Sequence, residues 1–356
     1  MSKPILITCQ PDDQYFLWQN HLYIESCLEQ GFSEEQIHIL LYKPTYRVYN
    51  KNWEKLKTIY PKLNIFLYED KGVQQFLGIY IPIIRPHILF QHFEAFPELK
   101  NKTIIYTDCD ILWVGNLDIK QFFNDNISYM SDAKSYLNYD YLKSKEKDVL
   151  EHKKEDFSKI DVIQEMCDIV GISKEIVIKN NDNTGGVQYI LKNIDKDFWL
   201  KVEKDVLAIR SYLLNINKLY FENENKGYQS WCADLWAVLW GLWIRNQETK
   251  IIKQLDFAWA PDPISKLETY SIFHNAGITG TFIETGSHEK ILKSGQKIKV
   301  KEEYPAFYKG KYHAGQDPTK DEHLQIVLEN EESKKHCTWW YAKKLNDLKN
   351  KYKLNY

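Results

Sequence analysis

The chain has 356 residues, 44% hydrophobic and 14% aromatic, and a formal net charge of −2. This composition excludes a disordered chain, and the near-neutral balance argues against nucleic-acid binding driven by bulk charge while leaving a local basic patch open. Six cysteines without CxxC or paired spacing read as reduced thiols. With no leader-like segment and no long apolar run, the sequence predicts a soluble, cytoplasmic protein without a transmembrane segment.

Ile5 to Thr8 reads as a buried strand, followed by a turn and helix cap at Pro11, Asp12 and Asp13. Leu17, His21, Ile24 and Leu28 recur at helical spacing, with Gly31 placed to end that helix. Ile37 to Leu41 is a second strand, Trp53 to Tyr60 a second helix and Asn64 to Tyr68 a third strand. Arg85-Pro86 opens a helix through Phe93, with proline at its favoured first position. The apolar run Thr103 to Thr107 then leads into Asp108-Cys109-Asp110. This βαβα order predicts an α/β fold with a mainly parallel sheet, helices on both faces, and ligands at the carboxyl ends of the strands.

Beyond the Asp pair, residues 139 to 159 are rich in Lys, Glu and Asp of mixed sign, which predicts a solvated helical insertion. Residues 198 to 217 form another helix. Gln229 to Trp243 is apolar nearly all round, with Trp231, Leu235, Val238, Leu239 and Leu242 on one side and Trp236, Trp240 and Trp243 beside them, so this helix is expected to be buried. Gly277 to Gly310 reads as loops and short strands, and Thr338 to Tyr352 as a C-terminal amphipathic helix. The organisation expected is one catalytic domain over 1–285, with the charged insertion at about 139–180, and a C-terminal helical extension over 286–356 packed on it.

Asp108 and Asp110 carry the chemistry. In extended chain, residues two apart face the same way. Two carboxylates leaving a buried strand offer the oxygen ligands and negative charge that a hard divalent cation needs. A lone Asp-x-Asp is common in capped turns, so the reading depends on two later segments, Asn183-Thr184-Gly185-Gly186-Val187-Gln188 and His274-Asn275-Ala276-Gly277.

Taken in order, these segments resemble the GT-A nucleotide-sugar glycosyltransferases, most closely the retaining group that includes glycogenin and bacterial lipopolysaccharide galactosyltransferases. The resemblance spans roughly residues 4 to 280. Asp12-Asp13-Gln14-Tyr15 matches the segment that holds uracil, Arg85 the arginine before the Asp-x-Asp strand, and Tyr106 to Leu112 the Tyr-x-Asp-x-Asp pattern. Asn183 to Gly186 stands for the Asn-Ser-Gly segment, and His274 to Gly277 for the metal-binding His-x-x-Gly. Cys9 to Gln19 also looks like the start of plant hydroxyproline arabinosyltransferases and peptidyl-serine galactosyltransferases. Two features depart from the pattern. An Asp-Gln pair becomes Ala233-Asp234-Leu235-Trp236, keeping only the Asp, and a lysine after the His-x-x-Gly is missing, with Lys309 or Lys311 as possible substitutes.

The resemblance implies a GT-A fold, a Mn²⁺ or Mg²⁺ cofactor on Asp108, Asp110 and His274, and a UDP-sugar donor. The donor site would use Asp13, Tyr15, Arg85, Asn183, Gly185, Gly186, Gln188, Gly277 and Lys309. Asp234 would bond donor hydroxyls or support the anomeric carbon, and transfer would retain configuration. The acceptor is left open among a glycan, a protein hydroxyl, a lipid-linked sugar and a modified nucleobase. Each site also has a structural reading. The Asp pair can cap a turn, His274 can be a satisfied core residue and Gly185-Gly186 a plain turn. Asp13 and Tyr15 can be a cap and a core aromatic, Arg85 a surface ion pair, and Asp234 a buried hydrogen-bonding group. Rival functions are a GT-A-like protein that binds nucleotide sugar or glycan without turnover, and a metal-dependent phosphoesterase.

Overall fold

The computed structural model describes residues 3–78, 80–115, 117–151, 157, 159–222, 226–275, 282–291, 297–305 and 322–353. The first half alternates as expected: β1 (Ile5–Pro11), α1 (Gln14–Glu29), β2 (Ile37–Lys43), α2 (Trp53–Ile59), β3 (Asn64–Glu69), α3 (Ile84–Ala95) and β4 (Ile104–Tyr106). After it come β5 (Ile111–Trp113), β6 (Ser128–Asp132), α4 (Lys134–Leu137), α5 (Tyr139–Glu151), α6 (Val162–Val170), α7 (Lys174–Lys179) and β7 (Gly185–Leu191). The chain continues through α8 (Lys196–Tyr220), α9 (Ala233–Ile244), β8 (Thr249–Ile251), β9 (Phe257–Trp259) and β10 (Ile272–His274). It closes with β11 (Phe282–Ile291), β12 (Lys297–Pro305), α10 (Glu322–Glu329) and α11 (Cys337–Tyr352).

The central sheet has seven strands in the order β3-β2-β1-β4-β7-β6-β8. β3, β2, β1 and β4 are parallel, β7 runs antiparallel to both neighbours, and β8 is parallel to β6. Alternation along the strands feeds two cores. Ile7, Leu40 and Tyr106 face α3, α8 and α9, while Leu6, Ile39, Leu41 and Ile105 face α1 and α2. Both faces are therefore covered, which is why β1 and β2 read as nearly continuous apolar runs. The order reverses between β1 and β4, and the crevice beyond their carboxyl ends is the place where such sheets bind ligands.

Gly31 takes a left-handed φ of 81°, two residues beyond α1, as its placement in the sequence predicts. The charged insertion has a core-facing side, because Leu142 and Val149 of α5 are buried. The tryptophan-rich segment divides in two. Trp236, Trp240 and Trp243 are buried on α9, and the indole N–H of Trp236 donates to Leu137 O at 2.8 Å and that of Trp243 to Thr249 Oγ1 at 2.9 Å. Trp231 is 55% exposed, contrary to the sequence reading. The α-helix begins only at Ala233, and Trp231 lies in the preceding 3₁₀ turn, so the helical phase that buries the others does not reach it. β11 and β12 form a long antiparallel hairpin where short strands were expected. None of the six cysteines is in a disulfide. No helix among the described residues is long and apolar enough to cross a membrane.

Candidate metal and donor site

β4 delivers the chain to the crevice. The Thr107 N–H extends the pairing by donating to Ile7 O at 3.2 Å, and the buried Cys109 then turns inward beneath the Gln19 side chain. Asp108 and Asp110, on either side of Cys109, keep their carboxylates partly exposed, at about one-fifth of their side-chain surface each. A second, three-stranded sheet brings the histidine. β10 pairs antiparallel with β5 so that His274 faces Ile111, the residue after Asp110, and the Asn275 N–H donates to Asp110 O at 2.9 Å. This register places His274 Nε2 at 3.3 Å from Asp110 Oδ1 and 3.6 Å from Asp108 Oδ2.

One ligand atom from each of Asp108, Asp110 and His274 lies within 4.8 Å of the others. The imidazole is buried, stacked on Trp259 at 5.3 Å and 18°, with Phe257 edge-on at 5.0 Å. Its Nδ1 is buried without a hydrogen-bond partner among the described residues, so only Nε2 faces polar groups, and those are two carboxylates. Two carboxylate oxygens and one imidazole nitrogen converging on one point fit a divalent cation, which would offset the mutual repulsion of the acids. The structural alternatives for these three residues, a capped turn and a satisfied core histidine, leave that convergence without a cause.

Asp108 divides its oxygens. Oδ2 faces His274, while Oδ1 takes an Nη of Arg85 at 2.7 Å. The other Nη of Arg85 holds Asp234 Oδ2 at 3.0 Å. The Tyr80 hydroxyl completes the group, accepting from the Asp234 N–H at 3.2 Å, with Asp234 Oδ1 at 3.0 Å and Trp231 O at 2.6 Å as acceptors for its one proton. Burial raises the Asp234 carboxyl above its ordinary value, with Arg85 the largest opposing influence. Burial also works against the charge of Arg85, but Asp108 and Asp234 outweigh it and hold the guanidinium well above its usual value. Val187, Tyr189 and Leu235 wall the cleft beside these charges.

The remaining expected residues fall in several places. Gly185 and Gly186 lie on β7 beside the cleft. A Cβ on Gly185 would stand 2.6 Å from Met130 Cγ and 2.7 Å from Ser131 O, so sheet packing alone requires that glycine; at Gly186 the nearest atom is Leu137 Cδ1 at 3.3 Å. Val187 follows with φ 71°, a strained value for a β-branched residue, at the bulge where the β6–β7 register shifts. Gln188 is fully buried, and neither of its amide atoms has a partner among the described residues. Asn183 sits in the 3₁₀ turn before β7, its N–H donating to Asn180 O at 2.9 Å.

At the end of β1, Asp13 is the N-cap residue of α1 and pairs with Arg47 at 3.2 Å on the surface. Tyr15 packs edge-on against Phe16 and Trp18. The buried acid here is Asp12, which accepts the Asn50 N–H at 2.9 Å and whose carboxyl burial pushes up. The sequence reading placed Asp12 in the turn and in the uracil segment without singling it out as a site residue, and did not name Tyr80. An Asp-Asp dipeptide signals that one of the two is special, but nothing around Tyr80 marks it. Gly277 and Lys309 lie outside the described residues, as does Lys311.

No protein-family model and no curated protein matches the sequence. Among solved structures, the chain is similar to the apo form of mouse xyloside xylosyltransferase 1, at 9% identity over 77% of this chain and 98% of that one, with a TM-score of 0.34. It is similar to the apo bifunctional glycosyltransferase WbbM at 11% identity over 78% of this chain, with a TM-score of 0.41, and spans 46% of that protein's length. It is also similar to the galactosyltransferase LgtC in complex with donor and acceptor sugar analogues, at 10% identity over 77% of this chain and 87% of that one, with a TM-score of 0.37. All three are glycosyltransferases.

Proposed function

We propose that this chain is a metal-dependent GT-A-type glycosyltransferase that moves a sugar from a nucleotide-sugar donor, a UDP-sugar, to a hydroxyl acceptor with retention of configuration. The observation that carries this reading is the convergence of Asp108, Asp110 and His274 at the carboxyl end of β4, with Arg85 bonded to the first of them. Asp108, Asp110 and His274 would hold Mn²⁺ or Mg²⁺, which when bound supplies Lewis-acid stabilisation to a diphosphate leaving group.

The chain's own residues do the rest. Arg85, clamped by two carboxylates, presents a fixed cation beside the position of the diphosphate. Val187 lines the donor sugar's side of the cleft, flanked by Gly186 and by the buried Gln188, whose amide has no partner among the described residues. Asp234, oriented by Arg85 and Tyr80, stands on the anomeric-carbon side. In the transfer, the acceptor oxygen bonds to the anomeric carbon, and the carbon–oxygen bond to the diphosphate breaks with its electron pair leaving on UDP. The acceptor proton passes to solvent.

Incubation with UDP-sugars with and without Mn²⁺ tests the reading. Metal-dependent UDP release is expected, as is a rise in melting temperature that needs nucleotide and metal together. Asp110→Ala is expected to abolish the metal-dependent part of both. An unchanged shift in that variant, binding without any UDP release, or phosphate or nucleoside monophosphate as product would overturn it.

A further inference from the structure

Trp231 is an anomaly in a segment built of buried indoles. It keeps 55% of its surface exposed, yet it is firmly held. Its ring meets Tyr80 at 5.3 Å in edge-to-face geometry, and the Arg210 guanidinium lies 5.9 Å from its centroid. Arg210 is itself buried and bonded to the Ser230 hydroxyl. Trp231 O takes the Tyr80 hydroxyl at 2.6 Å, and the same hydroxyl reaches Asp234. The open ring therefore sits one side chain away from the Asp234–Arg85–Asp108 chain. A large aromatic fixed from behind and bare in front binds with little loss of side-chain freedom.

The guanidinium beside it is engaged, Arg210 with the Ser230 hydroxyl. Gln229 is exposed two residues earlier, and its N–H donates to the Tyr141 hydroxyl at 3.1 Å. Tyr136 is half-buried on α4, and burial, with Cys232, Asp132, Asp108 and Asp234, raises its hydroxyl above the ordinary value. The basic residues of this region are engaged: Lys145 with Lys226 O at 3.1 Å, and Lys226 with Glu222 at 2.5 Å. A polyanion would find these cations already engaged. A pyranose, with an apolar C–H face and a ring of hydroxyls, matches a bare indole flanked by amide and phenol groups.

Resting on the glycosyltransferase reading above, we propose that Trp231 is the stacking platform of the acceptor site, and that the acceptor is a neutral carbohydrate whose ring lies on the indole with Gln229 bonding its hydroxyls.

Saturation-transfer NMR with lactose, maltose, cellobiose and diacetylchitobiose tests the platform without donor or metal. Transfer to the C–H protons of at least one saccharide is expected in the wild type, lost in Trp231→Ala and retained in Trp231→Phe, which also controls for folding. No saccharide signal, equal signals in wild type and W231A, or signals only from thymidine or a serine peptide would overturn the proposal. With UDP-sugar and Mn²⁺ present, the bound saccharide is expected to raise UDP release above the water-only rate, and in W231A this ratio falls to about one. Metal-dependent release that no bound saccharide raises would overturn the acceptor role. The absence of metal-dependent release under every condition, with saccharide signals intact, would instead sink the glycosyltransferase reading and leave a saccharide-binding platform.

Discussion

Arg85 and Asp234, 149 residues apart in the chain, form a 3.0 Å ion pair. The same guanidinium holds Asp108 at 2.7 Å, so one side chain ties α3 to α9 across the end of β4. A planar fork can serve two carboxylates at once, whereas a lysine ammonium on a flexible stem cannot keep both geometries.

Replacing Arg85 should therefore separate charge from geometry. Arg85→Lys is expected to lower kcat/KM for the donor by on the order of a hundredfold, since the cation remains but its position is lost. Arg85→Met leaves the buried Asp234 without its counter-ion and should cost about 3 kcal/mol in urea unfolding. Adding Asp234→Asn should recover much of that loss, and a double-mutant cycle measures the coupling. Additive effects would mean that the pair is incidental.

His274→Ala should weaken Mn²⁺ binding, read by titration with paramagnetic resonance, by more than the roughly tenfold to hundredfold that removal of a mere supporting partner costs. Trp259→Ala removes only the stacked ring that orients the imidazole and is expected to fall within that range. Equal affinity in wild type and His274→Ala would exclude the histidine as a ligand.

The two glycines of β7 make opposite predictions. Gly185→Ala forces a methyl against a backbone carbonyl and should destabilise the fold by about 1–3 kcal/mol, whatever the donor does. Gly186→Ala has more room and should cost under about 1 kcal/mol while raising KM for the nucleotide sugar. Shifts in urea midpoint, set beside KM, distinguish packing from donor approach.

Acid should unfold the protein through its buried histidines. The Tyr68 hydroxyl meets His92 Nδ1 at 2.6 Å, and His92 Nε2 meets His38 Nδ1 at 3.0 Å, a chain that breaks when both rings are charged because two N–H groups then face each other. Burial lowers His38 to about 4 and His92 to about 3, and lowers His21 to about 4. The folded state thus resists protons that the unfolded chain accepts near its ordinary value of about 6.5. Stability should be flat above about pH 6.5 and fall as pH drops toward 4, by on the order of a few kcal/mol. Urea unfolding at pH 7.5 and 5.0 checks this, and His92→Phe should flatten the dependence.

Much of this arrangement was legible in the sequence. The strands β1, β2 and β4 could be read because both of their faces are buried, the half-exposed edge strand β3 from its apolar run, and Gly31 and the Asp pair because local geometry dictates those residue types. The candidate metal-binding triad could be read only from motif order, since the contact between His274 and Asp110 depends on a register in a separate small sheet. Asp12 was not singled out within its segment, and Tyr80 was not named, because each owes its importance to partners far along the chain, Asn50 for the first and Asp234 for the second. Trp231 was misassigned because hydrophobic periodicity does not announce where an α-helix gives way to a 3₁₀ turn.

The small sheet rests on the C-terminal helix. Phe273, Leu112 and Ala258 pack with Tyr341, Ala342 and Leu345 of α11, and the N–H groups of Cys337 and Thr338 anchor to Asp262 O and Ala260 O. His274 is thus braced by α11, while Asp108 and Asp110 lie in the turn between β4 of the central sheet and β5 of the small one. Loosening α11 would leave the two aspartates in place and free the imidazole to drift, so the proposed ion site depends on a helix that contributes no ligand to it.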